Sequence, residues 1–169
     1  MSQVEILIWS DIRSETRGLD EYLQYLEDKP EMFNNYQEYH PQTEFIEEIR
    51  ELLAQTDKEI KILAIGASWC HDCAKQVPRM TKIIEKINAP NLEFRVLYGV
   101  KVKANHRGDE VMWHKRRSPP EATDPKFGLS AIPTFFFFIN EKYTSRVVEG
   151  PEQFSTLEEE LLQFFKEKL

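Results

Sequence analysis

The sequence contains only two cysteines among its 169 residues, Cys70 and Cys73. A small fold held together by several disulfides is therefore excluded, because such scaffolds need at least four cysteines. Long hydrophobic runs are also missing: the longest has five residues, at 135–139, whereas a membrane-spanning helix needs about 20. The N-terminus shows no basic stretch followed by an apolar one, so we predict no secretory signal peptide. These absences predict a cytoplasmic protein that does not act at a membrane.

Positive charge is also scarce. The chain has 22 lysine and arginine residues against 29 aspartate and glutamate residues, which gives a net charge of -7. Nucleic-acid binding needs a basic surface that displaces counterions from phosphates, so this balance argues against it. Hydrophobic residues make up 41% of the chain and charged residues 30%. This composition predicts a globular protein with one core of ordinary size.

The two cysteines lie within the sequence SWCHDC at 68–73, directly after an apolar segment, 60–66, that is predicted to be a buried strand. Apolar residues at helical spacing after Cys73 predict a helix that begins near the cysteines. The N-terminus of a helix stabilises a thiolate through its dipole and its unpaired N–H groups. A lone Cys-x-x-Cys pair in a cytosolic protein is more often catalytic or metal-binding than structural. The pattern therefore predicts a redox-active dithiol that reversibly forms a disulfide.

The first third of the chain, 1–57, is acidic and is predicted to be mainly helical. Residues 4–9 are apolar and β-branched, which predicts a short strand, although a helical start is an alternative. Apolar spacing predicts three helical segments after it: 16–29, 31–39, and one that begins with Pro41 at its first helical position. We interpret 1–57 as an N-terminal helical extension packed on the core.

The remainder, 58–169, is predicted to be an α/β domain. Strands are predicted at 60–66, 92–98, 132–139 and 143–148, the last two forming a hairpin with its turn near 140–142. The helix after Cys73 contains Pro78, which should kink it. The final helix is predicted to begin with a capping box formed by Ser155 and Glu158. We find no internal repeat.

This second part resembles the thioredoxin family in four features, whose combination is specific although a lone Cys-x-x-Cys is not. They are Trp69-Cys70-x-x-Cys73, Pro78 five residues after the second cysteine, Ile132-Pro133-Thr134 before an apolar strand, and Gly150 before the final helix. Asp72, directly before the second cysteine, also resembles the WCxDC subgroup of that family. This subgroup includes bacterial thioredoxin-like proteins with a helical N-terminal extension.

The resemblance implies a thioredoxin-like fold with a central mixed sheet of four or five strands flanked by helices. It implies a thiol-disulfide oxidoreductase that reduces protein or small-molecule disulfides and needs no cofactor. Cys70 is expected to be the nucleophile and Cys73 the resolving thiol. Ile132 and Pro133, joined by a cis peptide bond, are expected to face Cys70 and bind substrate. Electrons are expected to come from a thioredoxin reductase or glutathione.

Four residues are expected to tune the redox chemistry: Trp69, His71, Asp72 and Pro78. An imidazolium at His71 favours a Cys70 thiolate, whereas a carboxylate at Asp72 disfavours it. We therefore predict a reducing couple, nearer to ~-270 mV than to the ~-120 mV of a strong oxidant. Trp69 is expected to shield the disulfide, with simple packing at a strand end as the alternative.

Two departures from the family pattern stand out. Thioredoxins carry a buried aspartate six residues before the first cysteine, and this chain has Ala64 there. Proton transfer would then use water, His71 or Asp72. The second departure is an enlarged segment, 99–120, rich in lysine and arginine, which we call the basic segment. It could attract an acidic partner or a small anionic disulfide, or be an ordinary solvated surface.

Two other functions are compatible with the cysteine pair. The domain could be a partner-binding module that uses the dithiol as a redox switch without turnover. The cysteines could also bind zinc together with two of the four histidines, His40, His71, His106 and His114. The spacing argues against a metal site, because His71 lies between the cysteines and His106 and His114 are eight residues apart. We therefore predict no metal.

Overall fold

The computed structural model describes residues 6–103 and 112–169, in which helices flank a sheet. The helices are α1 (Leu19–Leu26), α2 (Pro30–Glu38), α3 (Thr43–Ala54), α4 (His71–Ile87) and α5 (Leu157–Lys168). The strands are β1 (Ile60–Ile65), β2 (Leu92–Leu97), β3 (Thr134–Ile139) and β4 (Lys142–Val148). Short 3₁₀ turns occur at Trp9–Asp11 and Pro120–Ala122. Within the described residues, no helix combines the length and apolarity that crossing a bilayer requires.

The four strands form one mixed sheet in the order β2-β1-β3-β4. Strand β1 is parallel to β2 and antiparallel to β3, and β3 is antiparallel to β4. The parallel pair is joined by α4, as a crossover connection requires. The hairpin turns at Asn140 and Glu141, whose positive φ angles of 48° and 74° suit a two-residue turn. The predicted α/β fold with a four-stranded mixed sheet is confirmed.

Strand β3 forms the centre of the core. Its four phenylalanines, 135–138, are all buried, with at most 1% of any residue exposed. Successive rings point to opposite faces: Phe136 packs edge-on to Phe127, and Phe137 packs against Phe164 of α5. Because both faces of β3 are covered, the strand is apolar from Phe135 to Ile139, as the sequence predicts.

The N-terminal helices bury their apolar faces in the same core as the sheet. Helix α2 packs on α4, α3 packs on α4 and α5, and α1 packs on β2. Tyr22, Leu26 and Ile49 are completely buried. The described parts of 1–57 and 58–169 therefore share one hydrophobic core, and the division at residue 57 stays a prediction.

The predicted strand at 4–9 is wrong for the residues that are described, 6–9; residues 4 and 5 lie outside them. Ile8 forms a single antiparallel bridge to Lys142 of β4, and the chain then enters the 3₁₀ turn at Trp9–Asp11. The Ile8 N–H donates to the Asp11 carboxylate at 2.9 Å. This local bond directs the chain into the turn and ends the pairing after one residue.

Four predicted helix starts are also wrong, by one to three residues. Helix α1 begins at Leu19 and not at residue 16, and α2 begins at Pro30 and not at residue 31. Helix α3 begins at Thr43 with Gln42 as its N-cap, so Pro41 lies outside it. Helix α5 begins at Leu157, and the Thr156 hydroxyl accepts the N-cap hydrogen bond. Glu158 is completely buried and accepts hydrogen bonds from the Tyr39 hydroxyl and the Gln42 N–H. Its carboxylate joins two helices and is therefore not used in a capping box.

Glu121 is a second buried carboxylate and fastens the N-terminal segment to the loop before β3. It accepts hydrogen bonds from the Arg13 N–H at 2.6 Å, the Ser14 N–H at 2.9 Å and the Ser14 hydroxyl at 2.6 Å. Burial acts to raise the pKa of Glu121, but these hydrogen bonds outweigh it and lower the pKa below its usual value of 4.5. The ionised form is therefore favoured in the folded state.

We expect Glu121→Gln to destabilise the protein at pH 7 by about 1–3 kcal/mol, since a buried charge-assisted acceptor is replaced by a neutral one. A lowered folded-state pKa contributes stability above the unfolded value of 4.5 and loses it as pH falls further. The stability difference between wild type and variant should therefore shrink below pH 4.5. Urea unfolding at pH 7 and pH 4 measures it. A difference that is independent of pH would contradict this role.

Candidate functional site

The two cysteines lie where β1 ends and α4 begins. After Ile65 the chain turns through 66–69, and Cys70 is the N-cap of α4 with an extended backbone. The Cys70 carbonyl accepts the first helical hydrogen bond, from the Ala74 N–H at 3.0 Å. Cys70 thus sits at the positive end of a helix of 17 residues.

Cys70 is half-buried, and its sulfur takes the place of the side-chain oxygen that usually caps a helix. Its Sγ accepts a hydrogen bond from the Cys73 N–H at 3.3 Å. This bond satisfies one free N–H of the first turn. The Cys70 sulfur is therefore held at the tip of α4.

Cys73 lies one turn along α4 and is completely buried. The two cysteine residues lie 3.0 Å apart at their nearest approach, and both are free thiols. Burial raises the pKa of Cys73 well above its usual value, and the neighbouring Cys70 thiol raises it further. Cys73 therefore stays protonated at neutral pH. The pair consists of one accessible sulfur and one buried thiol within reach of it.

Ile132 and Pro133 lie next to the Cys70 sulfur. Their peptide bond is cis, as the resemblance implied. The Cys70 thiol donates to the Ile132 carbonyl, with Sγ and O 3.7 Å apart. Ile132 is 7% exposed, and β3 begins directly after Pro133. The structure thus brings the predicted substrate-binding pair to the predicted nucleophile.

Trp69 is 50% exposed beside the cysteines. Its indole N–H donates to the Val100 carbonyl at 2.8 Å. The ring is therefore held next to the start of the basic segment while much of its surface faces solvent. Shielding of the disulfide by Trp69 stays a prediction.

His71 and Asp72 are both exposed on the first turn of α4. The nearest carboxylate to the imidazole comes from the N-terminal helices, since Nδ1 of His71 lies 3.4 Å from Oε1 of Glu31 on α2. Both partners are open to water, so this contact contributes little to stability. It nevertheless places a carboxylate from α2 beside His71, the residue after Cys70, which sequence patterns did not indicate.

Gly66 is a site residue that sequence reasoning missed. It is buried beside Cys73, and a Cβ added there would lie 2.8 Å from Cys73 Sγ and 3.2 Å from Cε1 of Tyr98. Glycine is the residue that leaves room for the buried sulfur. The sequence shows it as the last residue of an apolar run, which does not reveal this contact.

Two tyrosines lie near the position where thioredoxins carry their buried aspartate. Ala64 is completely buried in β1, and on the same side of the sheet the Tyr22 and Tyr98 hydroxyls are hydrogen-bonded at 2.6 Å. Burial raises the pKa of both tyrosines, so both are neutral at physiological pH. The pair therefore supplies a buried polar group but no base.

Pro78 is buried within α4, which runs through it without interruption. Proline has no N–H for the carbonyl four residues earlier, and that carbonyl belongs to Ala74. Nδ2 of Asn35, on α2, donates to the Ala74 oxygen at 2.9 Å. An N-terminal helix thus supplies the hydrogen bond that Pro78 removes from the first turns of α4.

We expect Asn35→Ala to lower the free energy of unfolding by about 1 kcal/mol, because the Ala74 carbonyl loses its donor. In a Pro78→Ala background, position 78 again has an N–H for that carbonyl, so the same substitution should cost less. Urea unfolding of the four proteins in this double-mutant cycle measures the coupling. Asn34→Ala is the matched control on the exposed side of α2. Equal costs in both backgrounds would contradict the assignment.

Possible metal ligands do not converge in the described residues. No group of three or more histidine, cysteine, aspartate or glutamate side chains there is arranged to hold a metal ion. Of the four histidines considered, His106 lies outside the described residues. The imidazole of His71 lies within reach of Glu31.

A thioredoxin family model matches residues 18–161, which is most of the chain. The chain belongs to the thioredoxin family. The match begins at α1, so the thioredoxin model spans the N-terminal helices as well as the sheet. Membership in the WCxDC subgroup stays a prediction.

Several solved structures are similar to this chain. A protein of unknown function from Pseudomonas aeruginosa has 14% sequence identity and a TM-score of 0.58, over 88% of this chain and 81% of that one. Thioredoxin from Fasciola hepatica has 18% identity and a TM-score of 0.42, over 72% and 91% of the two chains. Mitochondrial thioredoxin 3 from Saccharomyces cerevisiae has 21% identity and a TM-score of 0.40, over 72% and 89%. No curated protein is similar enough to count as a match.

Proposed function

We propose that this thioredoxin-family protein is a thiol-disulfide oxidoreductase that reduces disulfides through Cys70 and Cys73. The observation that carries the proposal is the pairing of a half-buried sulfur at a helix N-terminus with a completely buried cysteine, Cys73, whose N–H donates to that sulfur at 3.3 Å. Membership in the thioredoxin family supports it.

The first step is attack by the Cys70 thiolate on one sulfur of the substrate disulfide. A mixed disulfide forms, and the other substrate sulfur leaves as a thiolate that takes up a proton. The N–H of Cys73 stabilises the attacking sulfur before the bond forms. The Ile132 carbonyl, 3.7 Å from Cys70 Sγ, lies where an extended substrate chain would pair.

The second step is attack by Cys73 on Cys70 Sγ. Cys73 gives up its proton, the mixed disulfide breaks, and the second substrate sulfur leaves and is protonated. The products are two substrate thiols and the Cys70–Cys73 disulfide, so two electrons have passed to the substrate. Because Cys73 is buried, it reacts with Cys70 and not with outside disulfides.

Turnover requires that the internal disulfide be reduced again. A thioredoxin reductase or glutathione in the cytosol would supply these two electrons. The reaction needs a second thiol donor to reduce the Cys70–Cys73 disulfide, and it needs no resident cofactor. Four residues are proposed to tune the redox potential of the Cys70–Cys73 pair, since all four lie on or directly before α4. They are Trp69, His71, Asp72 and Pro78.

Reduction of insulin or a small disulfide in the presence of dithiothreitol tests the proposal. The oxidoreductase should reduce many equivalents of disulfide per protein. Oxidation of the dithiol by one equivalent, with no further turnover, would contradict it and support a redox switch instead.

A further inference from the structure

The charges of this protein are distributed unevenly. The basic segment, 99–120, holds six of the 22 lysine and arginine residues but only two of the 29 aspartate and glutamate residues. The segment is therefore positive in a chain whose net charge is -7. Both of its carboxylates, Asp109 and Glu110, lie outside the described residues, as does Arg107.

The described parts of the basic segment, 99–103 and 112–120, are held by a network of hydrogen bonds. Val102 bridges Trp113, and backbone bonds join Lys103 to Met112 at 2.7 Å and His114 to Lys101 at 2.6 Å. Trp113 is buried, and its indole N–H donates to the Leu129 carbonyl at 2.8 Å. These bonds fix the backbone, while five cationic side chains are exposed on it: Lys101, Lys103, Lys115, Arg116 and Arg117.

The basic segment is attached directly to the dithiol motif. Trp69, the residue before Cys70, donates its indole N–H to Val100, the residue before Lys101. The residue before Cys70 is therefore bonded to the backbone directly before Lys101. Three cavities among the described residues are all lined by other parts of the chain, while the five cationic side chains of the basic segment are exposed. An open charged surface suits a length of polypeptide better than a small molecule, which needs enclosure.

We propose that the described parts of the basic segment, 99–103 and 112–120, form a docking surface for an acidic stretch of polypeptide next to the disulfide of a protein substrate. This inference rests on the proposed function, because the docked chain would present its disulfide to Cys70. Opposite charges raise the rate of encounter and hold the acidic stretch close to the sulfur. The cations lie at the surface, so the effect weakens as salt rises, with a Debye length of about 10 Å at 0.1 M.

Synthetic peptides with one internal disulfide and acidic, neutral or basic flanking residues test this directly. At low salt, wild type should show a KM about tenfold lower for the acidic peptide than for the neutral one, with similar kcat. The triple variant Lys115→Gln, Arg116→Gln, Arg117→Gln should remove most of that preference. High salt should remove it in wild type.

The matched control changes three exposed lysines elsewhere by the same charge: Lys86→Gln, Lys142→Gln and Lys168→Gln. It should keep the preference for the acidic peptide. Equal KM values for acidic and neutral peptides in wild type, or equal losses in both triple variants, would overturn the proposal. So would a KM for glutathione disulfide that rises in the first variant as much as the KM for the acidic peptide.

A cysteine-free acidic peptide separates docking from chemistry. Its binding, followed by fluorescence anisotropy at low salt, should weaken about tenfold in the Lys115, Arg116 and Arg117 variant and not in the control. Absence of turnover with every peptide would contradict the proposed function, while the anisotropy still decides the docking. Turnover without any flank preference would contradict the docking alone.

Discussion

Cys73→Ser is expected to stop the reaction after its first step, so that the protein accumulates as a mixed disulfide with its substrate on Cys70. Cys70→Ser is expected to lower disulfide reduction at least about a thousandfold, because a serine hydroxyl is a poor nucleophile and forms no disulfide. The two variants should therefore fail at different steps. Cys73→Ser traps the substrate as a mixed disulfide, and Cys70→Ser does not react with it.

Mass spectrometry of each variant after mixing with a peptide disulfide distinguishes these outcomes. Cys73→Ser should carry one half of the peptide, released by dithiothreitol, and Cys70→Ser should carry none. Both serines are close in size to the cysteines they replace, so circular dichroism should show an intact fold. A peptide adduct on Cys73 in the Cys70→Ser variant would reverse the assigned roles.

Gly66→Ala is expected to have the second-largest effect. The added Cβ would lie 2.8 Å from Cys73 Sγ, a distance that forces the buried sulfur or the strand end to move. Overpacking of this kind costs about 1–3 kcal/mol. Movement of Cys73 away from Cys70 should also slow ring closure, so the mixed disulfide should persist longer during turnover.

Gly150→Ala is the matched control, since its Cβ would meet Nε2 of Gln76 at 3.1 Å, the end of a flexible side chain that can move aside. Urea unfolding and quenched-flow detection of the mixed disulfide compare the two variants. If both variants unfold at the same urea concentration and release product at the same rate, the close packing of Gly66 against Cys73 has no functional consequence.

The four strands of the sheet and the helix at Cys70 were predicted from local patterns in the sequence. Apolar runs and turn residues give the approximate positions of β1 to β4, because a buried strand needs side chains that suit both faces. The helix at Cys70 follows from apolar spacing after Cys73. The cis bond at Pro133 came from the family resemblance and not from the residues themselves.

Contacts between residues far apart in the sequence could not be predicted. Asn35 bonds the carbonyl of Ala74, 39 residues away, and Glu121 bonds the backbone at Arg13, 108 residues away. Neither residue belongs to a pattern that periodicity detects. Glu158 shows the consequence: it has the spacing of a capping box, but its carboxylate binds Tyr39 and Gln42 instead. A single sequence does not show which partner a buried polar group finds.

The central claim is that Cys70 is the reactive sulfur and Cys73 is held back by burial. Alkylation of the reduced, folded protein with iodoacetamide at pH 7, followed by mass spectrometry of its peptides, tests this most directly. We expect label on Cys70 within minutes and on Cys73 only after unfolding in urea. Labelling of both cysteines at similar rates in the folded protein, or of Cys73 first, would contradict the claim.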